Sequence, residues 1–361
     1  MRNKKIILTG GGTLGAVMPL LALYDALNKK SEEIEISFDF LFIGTRLGIE
    51  KKIIVENDIK FRNIFSGKLR RYFSFLNFFD LFKIVLGFLQ SIFIILRFKP
   101  DIIISVGGFV SVPLCLVGFV LRKKIHIHQQ DIRPGLANKL LAPFANSISV
   151  SFETSLQDYK NAIYLGNPTR KIGNLFSISE INEKLKINLE KEKKIILVIG
   201  GSTGATGIND LVYKNLEEIA SLGQIIHING IGKGKFVKDQ KNYFAFSFLD
   251  QKILLSLMNI SDLVISRAGI STISEIVYFQ KLVLIIPMPK THQEDNANYL
   301  AEKGVCIKFD QNGEGFIEVV KSTLEDQSLG QNIKKNILEL RKEDADIRLA
   351  DIVIKAIDRK K

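Results

Sequence analysis

Ile6-Ile-Leu-Thr-Gly-Gly-Gly-Thr-Leu-Gly-Ala-Val-Met-Pro19 decides the fold of this 361-residue chain. A short apolar run enters three consecutive glycines, and an apolar helical segment follows. That order lets backbone N–H groups and a helix N-terminus approach a phosphate or another anion closely. Alone it is a weak signal, because glycine-rich strand–turn–helix units occur throughout α/β proteins. Here it is repeated. Ile195-Ile-Leu-Val-Ile-Gly-Gly-Ser-Thr-Gly-Ala-Thr-Gly-Ile-Asn-Asp210 restates it in the second half. Two such openings predict two similar domains facing a shared ligand.

Composition agrees with that reading. The length suits two domains, and 46% apolar with 24% charged residues excludes a disordered chain. Cys115 and Cys306 sit in apolar stretches with no metal-ligand spacing, so they are expected to pack as small hydrophobes in a reducing compartment. The basic start Met1-Arg-Asn-Lys-Lys5 is followed by too short an apolar run for a signal-peptide core, and a cytoplasmic protein is expected. Of the +12 net charge, residues 1–165 hold +9 and residues 166–361 hold +3. No recognisable nucleic-acid motif accompanies the excess. Anionic lipid or a phosphorylated substrate is therefore the expected partner, and no nucleic acid.

Apolar runs and helical periods alternate along the whole chain, which predicts parallel sheets covered by helices. Strands are expected near 5–9, 36–43, 61–65, 101–106, 125–128, 147–150 and 162–165, then near 194–199, 224–229, 243–246, 262–265, 282–286 and 305–307. Helices are expected near 15–29, 46–57, 76–97, 111–121 and 135–143, then near 207–221, 250–258, 270–280, 293–303 and 314–325, with a helical run over 330–360. The domain junction falls near Gly166-Asn-Pro-Thr-Arg170, and residues 174–193 have the pattern of a linker or surface helix.

Two stretches invite a membrane reading. Between Asp101 and Arg122 lie twenty uncharged residues, but they read as a buried strand, a Gly107-Gly108 turn and a buried helix. Tyr72 to Leu96 is crowded with Phe, Ile and Leu and interrupted by Asp80 and Lys83. Lys68, Arg70 and Arg71 precede it, and Arg97 and Lys99 follow. Aromatic bulk beside cations lets a protein lie on an anionic membrane surface without crossing it, so 68–99 is the expected docking segment, with a buried helix as the alternative.

Open α/β sheets bind ligands at the carboxyl ends of their strands. Those ends hold Gly107-Gly-Phe-Val-Ser111, His128-Gln-Gln-Asp131, Gly166-Asn-Pro-Thr-Arg170, Ser266 to Glu275, and Pro287 to Ala297. Each alone reads better as structure, a turn, a hinge or a first-turn acid, than as a site; together on consecutive strand ends they suit a nucleotide-sugar. The loop at 266–275 offers backbone N–H groups to phosphates, and Glu275 can accept from a ribose diol. Arg170 can neutralise a diphosphate, and Gln293 can meet sugar hydroxyls as donor and acceptor.

Gly107-Gly-Phe-Val-Ser111, Gly166-Asn-Pro-Thr-Arg170, Gly200-Gly-Ser-Thr-Gly-Ala205 and Ser271-Thr-Ile-Ser-Glu275 resemble the MurG family of UDP-N-acetylglucosamine transferases, GT-B glycosyltransferases of peptidoglycan synthesis. The resemblance runs nearly end to end. It implies an α/β GT-B fold of two Rossmann-like parallel-sheet domains with a cleft between them. Residues 1–165 would bind acceptor and membrane, residues 166–340 would bind the UDP-sugar, and residues 341–361 would form a helix crossing back. The implied activity is inverting transfer of N-acetylglucosamine from UDP-N-acetylglucosamine to the 4-hydroxyl of an undecaprenyl-diphosphate-linked N-acetylmuramoyl-pentapeptide. It would take place at the cytoplasmic face of the plasma (inner) membrane, with neither cofactor nor metal. The implied substrate contacts are Thr13, Leu14, Gly15, Asp131, Arg170, Ser202, Leu249, Ile270, Ser271, Thr272, Ile273, Ser274, Glu275 and Gln293.

The first loop departs from the family's Gly-Gly-Thr-Gly-Gly-His-x-x-Pro. Leu14 replaces a glycine, which costs strain only if its φ is positive. Ala16 replaces the histidine favoured for the acid–base or acceptor-positioning role, and alanine cannot move a proton. His-Glu-Gln-Asn has become His128-Gln-Gln-Asp131, so Asp131 is the expected catalytic carboxylate. Two other readings stand beside this one. One is another lipid-acceptor GT-B transferase, of the glycosyldiacylglycerol synthase type. The other is a family member that binds UDP-sugar with weak or no turnover.

Overall fold

The structure, a computed structural model, describes residues 2–12, 14–46, 48, 50–67, 76–171, 173–201, 204–235, 237 and 240–358, without the side chains of residues 14 and 76–81. Two compact units result, Met1–Arg170 with Lys342–Lys361, and Lys171–Arg341. The first is built on β1 (Arg2–Thr9), β2 (Ile36–Gly44), β3 (Lys60–Asn63), β4 (Ile102–Ser105), β5 (Lys124–Gln129), β6 (Ser147–Val150) and β7 (Ile163–Tyr164). These form one sheet in the order β3-β2-β1-β4-β5-β6-β7, every pairing parallel. The second is built on β8 (Ile195–Ile199), β9 (Gln224–Ile228), β10 (Tyr243–Phe246), β11 (Leu263–Ser266), β12 (Leu282–Ile285) and β13 (Ile307–Lys308). They form a parallel sheet in the order β10-β9-β8-β11-β12-β13.

Strand periodicity explains why the first sheet is apolar on both faces. Ile6 and Leu8 of β1, Phe40 and Phe42 of β2, and Ile102 and Ile104 of β4 fall in one core cluster. The residues between them, Ile7, Leu41, Ile43 and Ile103, fall in another. Successive side chains point to opposite faces, so a strand covered on both sides reads as an unbroken apolar run. One cover is the helix Met18–Glu33 together with the C-terminal helix Ala345–Asp358, whose Leu349, Ala350, Val353 and Ile357 are buried in the first cluster. Lys124 Nζ donates to the Ala356 carbonyl at 2.6 Å and ties the last helix to β5.

In both sheets the strand that enters the glycine turn is internal, and the chain reverses its direction of sheet growth beside it. From β1 the sheet extends through β2 to β3, then resumes on the other side with β4; β8, β9, β10 and β11 repeat the pattern. Ligands of open α/β sheets bind at such switch points, outside the carboxyl ends. The loops after β1 and β4 are therefore neighbours, as are those after β8 and β11.

Several elements differ from the expectation. The segment 207–221 is two helices, Thr206–Lys214 and Leu216–Leu222, because Asn215 (φ −117°, ψ 25°) leaves the helical region and its side chain bonds the Leu211 carbonyl instead. The run 330–360 is likewise two helices, Gln327–Leu340 and Ala345–Asp358, separated by Asp344 at φ +59°. Within 174–193 a helix, Ile178–Leu185, starts from a capping box in which Ser177 and Glu180 satisfy each other's backbone N–H. Cys115 and Cys306 are free and buried.

Among the described residues no helix is long and apolar enough to cross a membrane. The stretch 102–121 is β4 and the helix Ser111–Val120. Residues 68–75 of the expected docking segment lie outside the described residues, but the helix Leu76–Phe98 is informative from Phe82 onward. Ser91, Ile94 and Ile95 face the core, while Phe82, Val85, Leu86, Leu89, Ile92, Phe93 and Leu96 are exposed. Their spacing of three and four residues makes a continuous apolar stripe on the outer face, where a water-facing helix is polar.

Candidate functional site

The first loop is bent to lie on its neighbours. A Cβ at Gly10 would stand 2.5 Å from Val106 Cγ2, one at Gly11 would stand 2.9 Å from Glu50 Oε1, and Gly12 has φ +96°. Gly108 has φ +86°, and a Cβ there would come within 3.0 Å of the Gly11 carbonyl, so the two loops touch backbone to backbone. Leu14, Gly15 and Ala16 then form one 3₁₀ turn ahead of the helix Met18–Glu33. That conformation has negative φ, so leucine costs no backbone strain at position 14. Ala16 packs against the core cluster and offers no proton-transfer group. Thr13 lies outside the described residues.

Directly behind this loop lies a carboxylate that sequence reasoning missed. Glu50 is fully buried, its Oε1 accepts from the Thr45 N–H at 2.7 Å and the Thr45 hydroxyl at 2.6 Å, and its Oε2 has no hydrogen-bond partner. Its signal in the sequence was the glycine-flanked stretch Gly44-Thr-Arg-Leu-Gly48 ahead of it.

The loop after β5 is organised by Gln129, the position where the family's carboxylate is lost. Its Nε2 donates to the Asp131 and Arg133 carbonyls at 2.8 and 3.2 Å, and its Oε1 accepts from Asn138 Nδ2 at 2.6 Å and the Tyr159 hydroxyl at 3.2 Å. An amide can fill both roles at once; a carboxylate could not donate. Asp131 stands half-buried in this loop. After β7, Gly166 (φ +85°) leads into Asn167-Pro-Thr-Arg170, where Arg170 is held through Nε to Asp25 Oδ2 at 2.5 Å and through Nη2 to Oδ1 at 3.2 Å.

In the second unit, Gly201 (φ +81°) and Gly204 (φ +71°) turn the chain from β8 into the helix Thr206–Lys214, and a Cβ at Gly204 would stand 2.5 Å from the Asn229 carbonyl. Ser202 lies outside the described residues. The loop after β11 enters the helix Ile270–Tyr278, and the predicted stretch divides by face. Ile270 and Ile273 are buried toward the core, so only their backbone can meet a ligand, while Ser271, Thr272, Ser274 and Glu275 are half-buried on the other side. Burial lifts the Glu275 carboxyl from its usual range up to about 8.

Neither Ile270–Tyr278 nor Thr206–Lys214 has a side-chain N-cap, and neither does Ser111–Val120 after the Gly107-Gly108 turn. In Ile270–Tyr278 and Thr206–Lys214 the first-turn N–H groups thus face the switch point, where an anion would satisfy them, whereas in Ser111–Val120 the Ser111 and Val112 N–H groups already donate to the Gly108 and Phe109 carbonyls. Of the helices starting away from those points, Gln251–Ile260 and His292–Glu302 are capped by Asp250 and Thr291, while Leu136–Leu141, Leu216–Leu222 and Phe316–Glu325 also start without a side-chain cap. Leu249 is half-buried just before the first of these. Gln293 spends its Oε1 on the Met288 N–H at 3.1 Å, which turns the amide so that Nε2 is its remaining donor.

Arg267 was also missed. It is buried and cross-links the loops after β11 and β12, donating through Nη1 to the Ile286 and Pro287 carbonyls at 2.9 Å and through Nη2 to Gln311 at 2.6 Å. A sequence shows the arginine but not that three acceptors already occupy it.

Two parallel-sheet units, each with a glycine loop and an uncapped helix at its switch point, make up the architecture of the GT-B glycosyltransferases. Residues 6–150 match the glycosyltransferase family 28 N-terminal domain, and residues 195–349 match the glycosyltransferase family 28 C-terminal domain. The chain belongs to this family. It is 37% identical to the Borreliella burgdorferi UDP-N-acetylglucosamine–N-acetylmuramyl-(pentapeptide) pyrophosphoryl-undecaprenol N-acetylglucosamine transferase, across 99% of this chain and 98% of that one. A Clostridium botulinum protein of the same name is 42% identical over 80% of this chain and 79% of its own. Among solved structures, Acinetobacter baumannii MurG superimposes with a TM-score of 0.71 at 20% identity, covering 98% of this chain and 99% of that one, a likeness of fold.

Proposed function

We propose that this glycosyltransferase moves N-acetylglucosamine from UDP-N-acetylglucosamine to the muramoyl 4-hydroxyl of an undecaprenyl-diphosphate-linked pentapeptide precursor, inverting the anomeric carbon. The observation that carries the reading is the pair of helix N-termini without side-chain caps at the second sheet's switch point, with Glu275 in the second turn of one of those helices, in a chain of this family. The second unit holds the donor. The N-termini of Thr206–Lys214 and Ile270–Tyr278 meet the diphosphate, Glu275 accepts from the ribose hydroxyls, Leu249 meets the uracil through its backbone, and Gln293 donates to the sugar. Ser271, Thr272 and Ser274 complete this wall, and Ser202 is a further proposed donor contact. Thr13, Leu14, Gly15, Asp131 and Arg170 come from the first unit, Arg170 as a fork donor to phosphate oxygens.

In the transfer, the acceptor oxygen attacks the anomeric carbon, the bond to the β-phosphate breaks, and UDP leaves with the electron pair. The hydroxyl proton passes to a base, for which Asp131 is the side chain assigned here. Helix dipoles and Arg170 stabilise the charge that develops on UDP.

The apolar stripe on Leu76–Phe98 supports peripheral docking on the inner membrane. It is flanked by Lys83, Arg97 and Lys99, and Phe119 and Val120 are exposed at the end of the neighbouring helix Ser111–Val120. Phenylalanine and leucine would enter the headgroup boundary while the cations meet anionic lipid.

Labelled UDP-N-acetylglucosamine incubated with a short-chain lipid-linked muramoyl pentapeptide should yield the lipid-linked disaccharide. Transfer to diacylglycerol instead would identify a glycosyldiacylglycerol synthase. Donor binding with no product from either acceptor would identify a family member without turnover.

A further inference from the structure

The face of the first sheet that lies under the C-terminal helix contains a polar row no function above uses. Parallel register sets His126 opposite Ser147 and His128 opposite Ser149. His126 Nδ1 is 2.8 Å from Ser147 Oγ, and its Nε2 is 2.9 Å from Ser149 Oγ. The same Ser149 Oγ is 2.9 Å from His128 Nδ1. His128 Nε2 then reaches Ser151 Oγ at 3.1 Å and Asn167 Oδ1 at 3.4 Å, and Ser151 Oγ reaches that oxygen at 3.3 Å. Both imidazoles, Ser149 and Ser151 are buried.

The last acceptor fixes every proton in the row. An amide oxygen only accepts, so His128 Nε2 and the Ser151 hydroxyl both donate toward Asn167. A neutral imidazole has one N–H, so His128 Nδ1 must accept, and its donor is the Ser149 hydroxyl. With that proton committed, Ser149 Oγ accepts from His126 Nε2–H. His126 Nδ1 then accepts from the Ser147 hydroxyl. With the Asn167 amide oxygen turned to the row, the tautomers of His128 and His126 follow, and all the protons point along the row toward the hinge. Burial keeps both rings neutral, pushing His126 down to about 3 and His128 to about 4.

Asn167 is where the row meets the site. Its carbonyl accepts from the Thr169 hydroxyl at 3.1 Å, Gly166 before it fits against Lys342, and Arg170 after it is held by Asp25. We infer that Ser147, His126, Ser149, His128 and Ser151 form a one-way hydrogen-bond row locked to the amide orientation of Asn167, row and amide each holding the other, which makes Asn167 a positioning residue for the hinge peptide that presents Arg170 to the donor diphosphate. The inference rests on the proposed role of Arg170; the row itself does not.

Imidazole ¹⁵N spectra of the full-length protein test the row directly, since the chain has four histidines. His126 and His128 should both show the neutral Nε2–H tautomer, unchanged between pH 8 and 5. Ser149→Ala cuts the row between the two rings and frees the Asn167 amide to flip, so His126 and His128 should both become mixtures of tautomers and KM for UDP-N-acetylglucosamine should rise about tenfold, with a smaller change in kcat. Ser149→Thr, which keeps the hydroxyl, should restore both. An Nδ1–H tautomer at His128 in the wild type overturns the row. A folded Ser149→Ala protein with lost tautomer order and unchanged KM overturns the positioning role. Arg170→Ala separates the two layers: unchanged donor KM there rejects the reading of Arg170, while the tautomer result still decides the row.

Discussion

Lowering the pH from 7 to 5 should weaken the first unit by about 4 kcal/mol and leave the second nearly unchanged. In the first unit, burial holds His126 and His128 neutral, with values near 3 and 4 against an ordinary 6.5. The unfolded chain binds their protons as the pH falls through 6.5 and the folded chain does not, so stability is lost on acidification. Across this window each such imidazole costs about 2 kcal/mol, and the figure hardly depends on how far below 5 the folded value lies. His227 in the second unit, pushed by burial to about 4, adds a third loss of the same size. Glu275 has the opposite sign. Raised to about 8 from an ordinary 4.5, it is protonated in the folded state while still ionised in the unfolded chain, so acidification stabilises the fold by about 2 kcal/mol. The two terms in the second unit therefore cancel. Denaturant titrations at both pH values, followed by hydrogen-exchange mass spectrometry, report each unit through its own peptides. If the first unit loses less than about 1 kcal/mol, its histidines are not held neutral. If both units weaken in parallel, repulsion among the basic side chains governs instead.

The same carboxyl ties donor binding to pH: ribose hydroxyls favour ionised Glu275, so UDP binding should release a proton and tighten up to about tenfold between pH 7 and 8. Calorimetry in buffers of different ionisation enthalpy reads that proton, and Glu275→Gln should abolish the dependence; a flat profile in the wild type would remove Glu275 from the ribose. Leu89→Lys with Phe93→Lys should cut sedimentation with anionic vesicles about tenfold or more while leaving transfer to a short-chain acceptor intact, and unaltered vesicle binding would reject the stripe as the docking face. Ala16→His should raise the rate of transfer if a histidine limits the reaction, and an active wild type that the substitution leaves unchanged shows the side chain to be dispensable. Asp131→Asn should lower kcat and flatten its acid limb; an unchanged rate and pH profile excludes Asp131 as the base.

The strand ends were legible because their signals are local. Apolar runs broken by glycine can be read one residue at a time, whereas the strand order that makes two of those ends switch points came only with the fold. What stayed hidden depended on partners distant in sequence. Glu50 reads as an ordinary helix-start acid until the fold sets it against Gly11, and Arg267 reads as a free cation until two loop carbonyls and Gln311 surround it. The helix break at Asn215 was missed for a related reason, since asparagine leaves a helix only when its side chain has a better backbone acceptor. Ser271 to Glu275 was found as a block, but which members face the core is a question of helical phase against a sheet.

The histidine row sharpens that distinction. His126-Ile-His128 and Ser147-Ile-Ser149-Val-Ser151 each alternate polar with apolar residues. In a strand with one wet face, such alternation marks the solvent side. In an internal parallel strand covered on both faces it cannot, so the polar residues must satisfy one another. Two alternating internal strands with donors on one and imidazoles on the other therefore forecast a buried hydrogen-bonded row before any coordinates exist. The condition is that the strands be adjacent and in register, and β5 and β6 meet it. Adjacency cannot be read within either strand; it is a property of the sheet order. Past the switch point beside β1, the strands β4, β5, β6 and β7 follow in chain order, and that order brings His128 against Ser149 and forms the row that ends at Asn167.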